Sequence, residues 1–175
     1  IGFRDGGVSV SLSTGSGFTE ISYWVNSFGY RAGEWRVDMH PRHLADVNGD
    51  GKADIVGFGS PGVIVSLSTG SSFTEPTVWV KQFGYNYGWR VDKHPRILAD
   101  VNGDGKADII GFRDGGAHVS LSTGYSFTQK QLLNYFGNND GWKIDQHPRI
   151  LADVNGNGKA DIIGFGNEGV YVSLA

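Results

Sequence analysis

No cysteine occurs among the 175 residues, which excludes a disulfide framework and any thiolate metal site and leaves the redox compartment undetermined. Long apolar runs are absent too, and nothing approaches the ~20 residues of a membrane span. No Asn-x-Ser/Thr glycosylation signal is present. Neither sign of charge dominates: the formal net charge is −3, and Lys and Arg are dispersed among acids instead of forming the basic stripe that nucleic acid requires. Helical periodicity is missing as well. Two matches to Gly-x-Gly-x-x-Gly, at 57–62 and 164–169, therefore lie between expected strands with no helix N-terminus to receive a phosphate. There is no Gly-x-Ser-x-Gly elbow and no His-Glu-x-x-His. Ser, His and Asp recur at equivalent places, whereas a hydrolase needs one unique constellation, so the sequence reads as a binding protein and not as an enzyme.

Glycine is abundant instead, at 28 of 175 residues, about twice the usual ~7%. With 13% aromatic residues and no collagen-like period, this composition points to turn-rich β structure. The chain is also repetitive. His-Pro-Arg begins at 40, 94 and 147, giving spacings of 54 (94 − 40) and 53 (147 − 94). Within one period come a strand A ending Leu-Ala-Asp, an acidic loop, a strand B of the type Ile-Ile-Gly-Phe, a glycine turn, a strand C, a Ser-Thr-Gly turn and an aromatic strand D. Strand C alternates strictly, with Val8, Val10 and Leu12 on one face and Ser9, Ser11 and Ser13 on the other.

Four short strands per ~50 residues match a propeller blade, and β-solenoid repeats are much shorter. The expected fold is all-β, a β-propeller of four-stranded blades with about three to four blades in a single domain spanning 1–175. The repeats run approximately 1–39, 40–93, 94–146 and 147–175. Strands B and C occur four times, but A and D only three, so the ring is expected to be completed by a second copy, as a homodimer, or by further repeats.

The acidic loop is nine residues long, with short oxygen-bearing side chains at its first, third, fifth and ninth positions and glycines that let the backbone wrap. Such spacing, with a backbone carbonyl at the seventh position, suits a hard cation taking six to eight oxygens. The candidate ligands are Asp46, Asn48, Asp50, Lys52 and Asp54 in the first copy, Asp100, Asn102, Asp104, Lys106 and Asp108 in the second, and Asp153, Asn155, Asn157, Lys159 and Asp161 in the third. Up to three structural Ca²⁺ ions per chain are expected, held most weakly in the third loop, where Asn157 replaces an aspartate. An EF-hand is excluded because position twelve is Gly57, Gly111 or Gly164. Metal-free Asx turns are the simpler alternative.

Strand parity places the A–B loops and C–D turns on one face and the D–A segments and B–C turns on the other. The second face carries Tyr30, Trp35, Asp38, His40 and Arg42, then Tyr85, Trp89, Asp92, His94 and Arg96, then Trp142, Asp145, His147 and Arg149, with Arg4 and Arg113 on the B–C turns. An aromatic platform beside Asp, His and Arg is the chemistry of a saccharide pocket, in which charged planar groups hold adjacent hydroxyls. Against this stands an architectural reading, with Trp as inter-blade core, His-Pro as a rigid lead into strand A and Asp–Arg as an ion pair.

The combination Trp-Arg-Val-Asp-x-His-Pro-Arg with Leu-Ala-Asp-Val-Asn-Gly-Asp-Gly and Val-x-Val-Ser-Leu-Ser resembles the fungal Psathyrella velutina lectin family, whose calcium loops look like those of the integrin α-chain FG-GAP propeller. The resemblance covers nearly the whole chain. It implies glycans with terminal N-acetylglucosamine, in some members sialylated, bound in pockets between blades on the face away from calcium. It also implies an extracellular or fruiting-body soluble protein. An integrin-like module binding a protein partner is the alternative. In the third copy Lys143 replaces Arg, Asn138 replaces Tyr and the aromatic strand becomes Leu-Leu-Asn-Tyr, so its pocket is expected to differ.

Overall fold

The computed structural model describes residues 1–175, the side chains of residues 129–131 excepted. Fourteen strands form four antiparallel meanders. The first sheet comprises β1 (Gly2–Arg4), β2 (Gly7–Val10) and β3 (Ser22–Val25). The second comprises β4 (Arg42–Ala45), β5 (Asp54–Gly59), β6 (Gly62–Ser66) and β7 (Thr77–Val80). The third comprises β8 (Arg96–Ala99), β9 (Asp108–Arg113), β10 (Gly116–Ser122) and β11 (Phe127–Leu133). The fourth comprises β12 (Arg149–Ala152), β13 (Asp161–Gly166) and β14 (Gly169–Ser173). The two middle sheets hold the expected order A to D, while the first holds B, C and D and the last A, B and C. Strand D of the first sheet is shorter than its aromatic run, since Phe18 makes only an isolated bridge to Ser13. Two short 3-10 turns, Tyr85–Tyr87 and Asn138–Asp140, interrupt the D–A segments.

The sheets pack face to face, which explains why strand B reads as a continuous apolar run. Every residue of β5 is buried: Ile55 joins the core against the first sheet, while Val56 and Phe58 join the core against the third. Ile109 faces back to the second sheet, and Ile110 and Phe112 face forward to the fourth. The A strands are neighbours, β4 beside β8 and β8 beside β12.

A tryptophan from each D–A segment is wedged onto the strand-B glycine of the next sheet. A β-carbon on Gly111 would lie 2.5 Å from Trp89 Cη2, and one on Gly164 would lie 2.5 Å from Trp142 Cη2; Trp35 sits on Gly57 in the same way. Trp35 and Trp89 are only 4% and 3% exposed. Burying ~200 Å² of indole at ~25 cal/mol/Å² contributes about 5 kcal/mol before entropy. Phe28, Phe83 and Phe136 pack behind these rings at centroid distances of 4.9, 4.9 and 5.0 Å.

The three phenylalanines adopt φ values of 60°, 59° and 66°, a left-handed conformation that costs a residue with a side chain about 1–2 kcal/mol. Each strained carbonyl accepts a hydrogen bond from a guanidinium: Arg42 to Phe28 at 2.8 Å, Arg96 to Phe83 at 3.0 Å and Arg149 to Phe136 at 3.0 Å. The same guanidiniums lie over Phe3, Phe58 and Phe112 of the preceding sheet, 5.2 to 5.3 Å from the ring centroids. Burial pulls Arg96 down to about 10, which leaves it charged at neutral pH.

The wedge predicts an asymmetry between glycines. Gly111→Ala should lower the unfolding free energy by about 1–3 kcal/mol in urea denaturation, because the indole has no room to yield. Gly115→Ala, whose β-carbon meets nothing within 4 Å, should stay within about 0.5 kcal/mol of the parent. Equal costs at both positions would contradict the role given to the wedge.

Candidate functional site

The acidic loops and the D–A clefts occupy opposite faces. Asp54, Asp108 and Asp161 are fully buried at the base of the loops. In each, Oδ2 accepts the amide of Val47, Val101 or Val154 in its own loop, and Oδ1 accepts the amide of Ser68, Ser122 or Ala175 at the end of strand C or just beyond it. The ninth residue thereby ties the A–B loop to the C–D turn on one face, as strand parity requires. Burial raises the Asp108 carboxyl to about 6 and moves Asp54 in the same direction.

Asp46 accepts the amides of Gly49, Asp50 and Gly51, with Gly49 and Gly51 at φ of 80° and 81°. Asp50 accepts the Lys52 amide and pairs with the Lys52 ammonium at 2.7 Å; Asp104 pairs with Lys106 at 2.9 Å. Hydrogen bonds from the Lys52 side chain and backbone hold Asp50 below the usual carboxylate range. The donor set is all oxygen and fits a hard cation in kind. Among the described residues, however, no three acidic or histidine side chains converge into a metal-holding group, since the carboxylates close on loop amides. Neighbouring loops form a row, with Ala107 donating to Asp46 O and Ala160 to Asp100 O, both at 2.8 Å.

On the other face each D–A segment meets the B–C turn of the next sheet. His40, His94 and His147 organise this junction. Nδ1 accepts the backbone amide of Arg36, Arg90 or Lys143 at 3.2, 3.1 and 3.0 Å, which places the proton of the neutral ring on Nε2. Nε2 then donates to Ser60 Oγ at 2.9 Å, Asp114 Oδ1 at 3.3 Å or Asn167 Oδ1 at 2.9 Å. Burial lowers the His40 and His94 pKa values. Arg42 and Arg36 push His40 further down, while Asp114 partly offsets the effect at His94.

Two clefts open here. The first, about 370 Å³, lies between the first and second sheets and is lined by Glu34, Arg36, Met39, His40, Ser60 and Pro61, with Trp35 and Ile64 beneath. The second, about 650 Å³, lies between the third and fourth sheets, where Asp140, Trp142, His147, Asn167, Glu168 and Tyr171 meet.

The sixteen expected sugar contacts separate into groups. His40, His147 and the edges of Trp35 and Trp142 line the clefts. Trp89 is wedged core, His94 is paired with Asp114, and Arg42, Arg96 and Arg149 hold the phenylalanine carbonyls; none of these five lines either cleft. Asp38, Asp92 and Asp145 are exposed on the turn before each His-Pro, and Arg4 is exposed on its own turn. Arg113 lies over Trp89. Tyr30 and Tyr85 carry stacked guanidiniums, Arg36 at 3.7 Å and Arg90 at 3.8 Å from the ring centroids. In the third copy Lys143 donates to the backbone and side-chain oxygens of Asn138 at 3.1 and 3.2 Å, so the two departures noted in the sequence are one exchanged pair. Sequence reasoning left out Glu34, Arg36 and Ser60. Glu34 is an insertion: Phe28 to Trp35 is one residue longer than Phe83 to Trp89, and Glu34 takes φ of 58° on the cleft rim.

Residues 100–164 match the FG-GAP-like repeat model. The fold is a β-propeller of antiparallel sheets, with an FG-GAP-like repeat within residues 100–164. A solved structure of an Agrocybe aegerita lectin, described as recognising non-reducing terminal N-acetylglucosamine, matches with a TM-score of 0.93 and 45% identity over 98% of this chain. The chain spans 44% of that lectin, and the resemblance to fungal lectins drawn from the repeats agrees with it. A chain of the TcdB2–TccC3–Cdc42 complex matches with a TM-score of 0.61 and 21% identity over 77% of this chain and 6% of its own, a likeness of fold alone. No curated protein matches the chain in sequence.

His40 and His94 make stability pH-dependent. With folded pKa values below the unfolded value of ~6.5, their contribution is complete above that pH and is lost as pH falls towards the depressed folded values. His40→Gln should therefore show a smaller fall in melting temperature between pH 7 and pH 5 than the parent. An identical fall would remove His40 from the acid-sensitive set.

Proposed function

We propose that the chain is a non-enzymatic lectin that binds terminal N-acetylglucosamine in the clefts between sheets. The observation that carries this reading is the 45% identity over nearly the whole chain to a lectin with that specificity. The first cleft supplies suitable chemistry. A carboxylate (Glu34) and a guanidinium (Arg36) stand in one cleft with the His40–Ser60 pair, so donors and acceptors are available for adjacent hydroxyls. Met39, Pro61, Ile64 and the Trp35 edge offer apolar surface for C–H groups and an acetyl methyl.

A monosaccharide buries little surface, so each cleft binds weakly and several on one rigid scaffold act through avidity. Calcium belongs to the opposite face in this reading, where it would be held by the acidic loops and would stiffen them without touching sugar. Their all-oxygen donors and left-handed glycines support that assignment. The rest of the ring falls to a second copy or to further repeats, because the chain spans 44% of the lectin it matches.

Calorimetric titration of the calcium-loaded protein should give saturable heat with N-acetylglucosamine and none with glucose. Silence with both sugars would overturn the lectin reading. Chelation should lower the melting temperature while leaving the preference between the two sugars unchanged.

A further inference from the structure

The three junctions are built from one pattern, but the first residue of the B–C turn alternates. It is Gly59 in the first junction, Arg113 in the second and Gly166 in the third. A side chain at this position projects over the indole edge, since a β-carbon on Gly59 would stand 3.3 Å from Trp35 Cη2 and one on Gly166 3.4 Å from Trp142 Cη2. In the middle junction the arginine fills that space. Its guanidinium carbon lies 5.7 Å from the Trp89 centroid, and Nη2 comes within 2.7 Å of where a β-carbon on Gly88 would stand. As at the other junctions, the histidine is paired with the turn, His94 with Asp114 at 3.3 Å, and Asp114 also accepts from the Asn138 amide at 3.5 Å. Both clefts described above lie at the glycine-bearing junctions.

We propose that Arg113 acts as a built-in occupant of the middle junction, so that the chain presents two open sugar clefts and not three equivalent ones. Residue 113 is then the determinant of valence. A glycine at the equivalent position leaves the rim above the histidine pair open to a saccharide, and an arginine covers that rim with its own guanidinium, held near the buried indole. This inference rests on the lectin reading for its ligand, but not for its geometry.

The test is calorimetric stoichiometry with N-acetylglucosamine, paired with a crystal structure of Arg113→Gly without sugar. The parent should titrate with two sites per chain, Arg113→Gly with three and Gly59→Arg with one. The sugar-free Arg113→Gly structure should show a cleft at the middle junction comparable to the one beside Gly59. Three sites in the parent, or an unchanged count in Arg113→Gly, would overturn the proposal while leaving the lectin reading in place. If no variant binds sugar, the lectin reading fails, and the Arg113→Gly structure alone decides whether Arg113 covers the junction. A middle junction that stays closed in it would overturn the cover as well.

Discussion

The contact between a tryptophan of one sheet and a side-chain-free position on the next sets the rest of the structure. Three indoles must reach the backbone of β5, β9 and β13, and only glycine lets them approach that closely. The approach brings each D–A segment down onto the following sheet. That in turn forces the phenylalanine behind it into a left-handed conformation, which is held by an arginine from strand A. Wedge, strained residue and guanidinium therefore form one unit, repeated at each junction. Its cost is local backbone strain, and its return is a fixed distance between sheets.

That unit also determines what remains for ligand binding. Once the indole faces and the strand-A arginines are committed to the core, the groups left for the proposed sugar binding are those at the rim of the junction. These are the histidine locked between a backbone amide and the B–C turn, the arginine that follows the wedged tryptophan, and the turn's own first two residues. A rigid framework with a variable rim suits repeated weak binding, since small changes at the rim alter one cleft without disturbing its neighbours.

Much of the fold was legible in the sequence because periodicity carried it. Strand C alternates, strand B does not, and both patterns follow directly from how many faces are buried. The unequal count of strands followed from the register of the repeats, and the placement of acidic loops opposite the D–A segments from parity. The site was less legible. Trp35, Arg42 and their equivalents looked like a ligand platform because Trp and Arg serve both roles, and a single chain cannot show which side of a strand a long side chain takes. Only the carbonyl of a left-handed phenylalanine, invisible in sequence, explains why Arg96 turns inward. Glu34 was missed because a one-residue difference in loop length reads as noise among glycines. The joint change of Arg90 and Tyr85 to Lys143 and Asn138 was a usable signal that those positions touch.

In the proposed lectin, sugar is held at the rim of the sheet junctions, on the face opposite the acidic loops. A crystal structure of the protein soaked with N-acetylglucosamine should show this. Density for the sugar is expected between Glu34, Arg36 and His40 on one side and Ser60 and Pro61 on the other, with the acidic loops free of sugar. Density against the loops at Asp46–Asp54 or Asp100–Asp108, with these clefts empty, would contradict it.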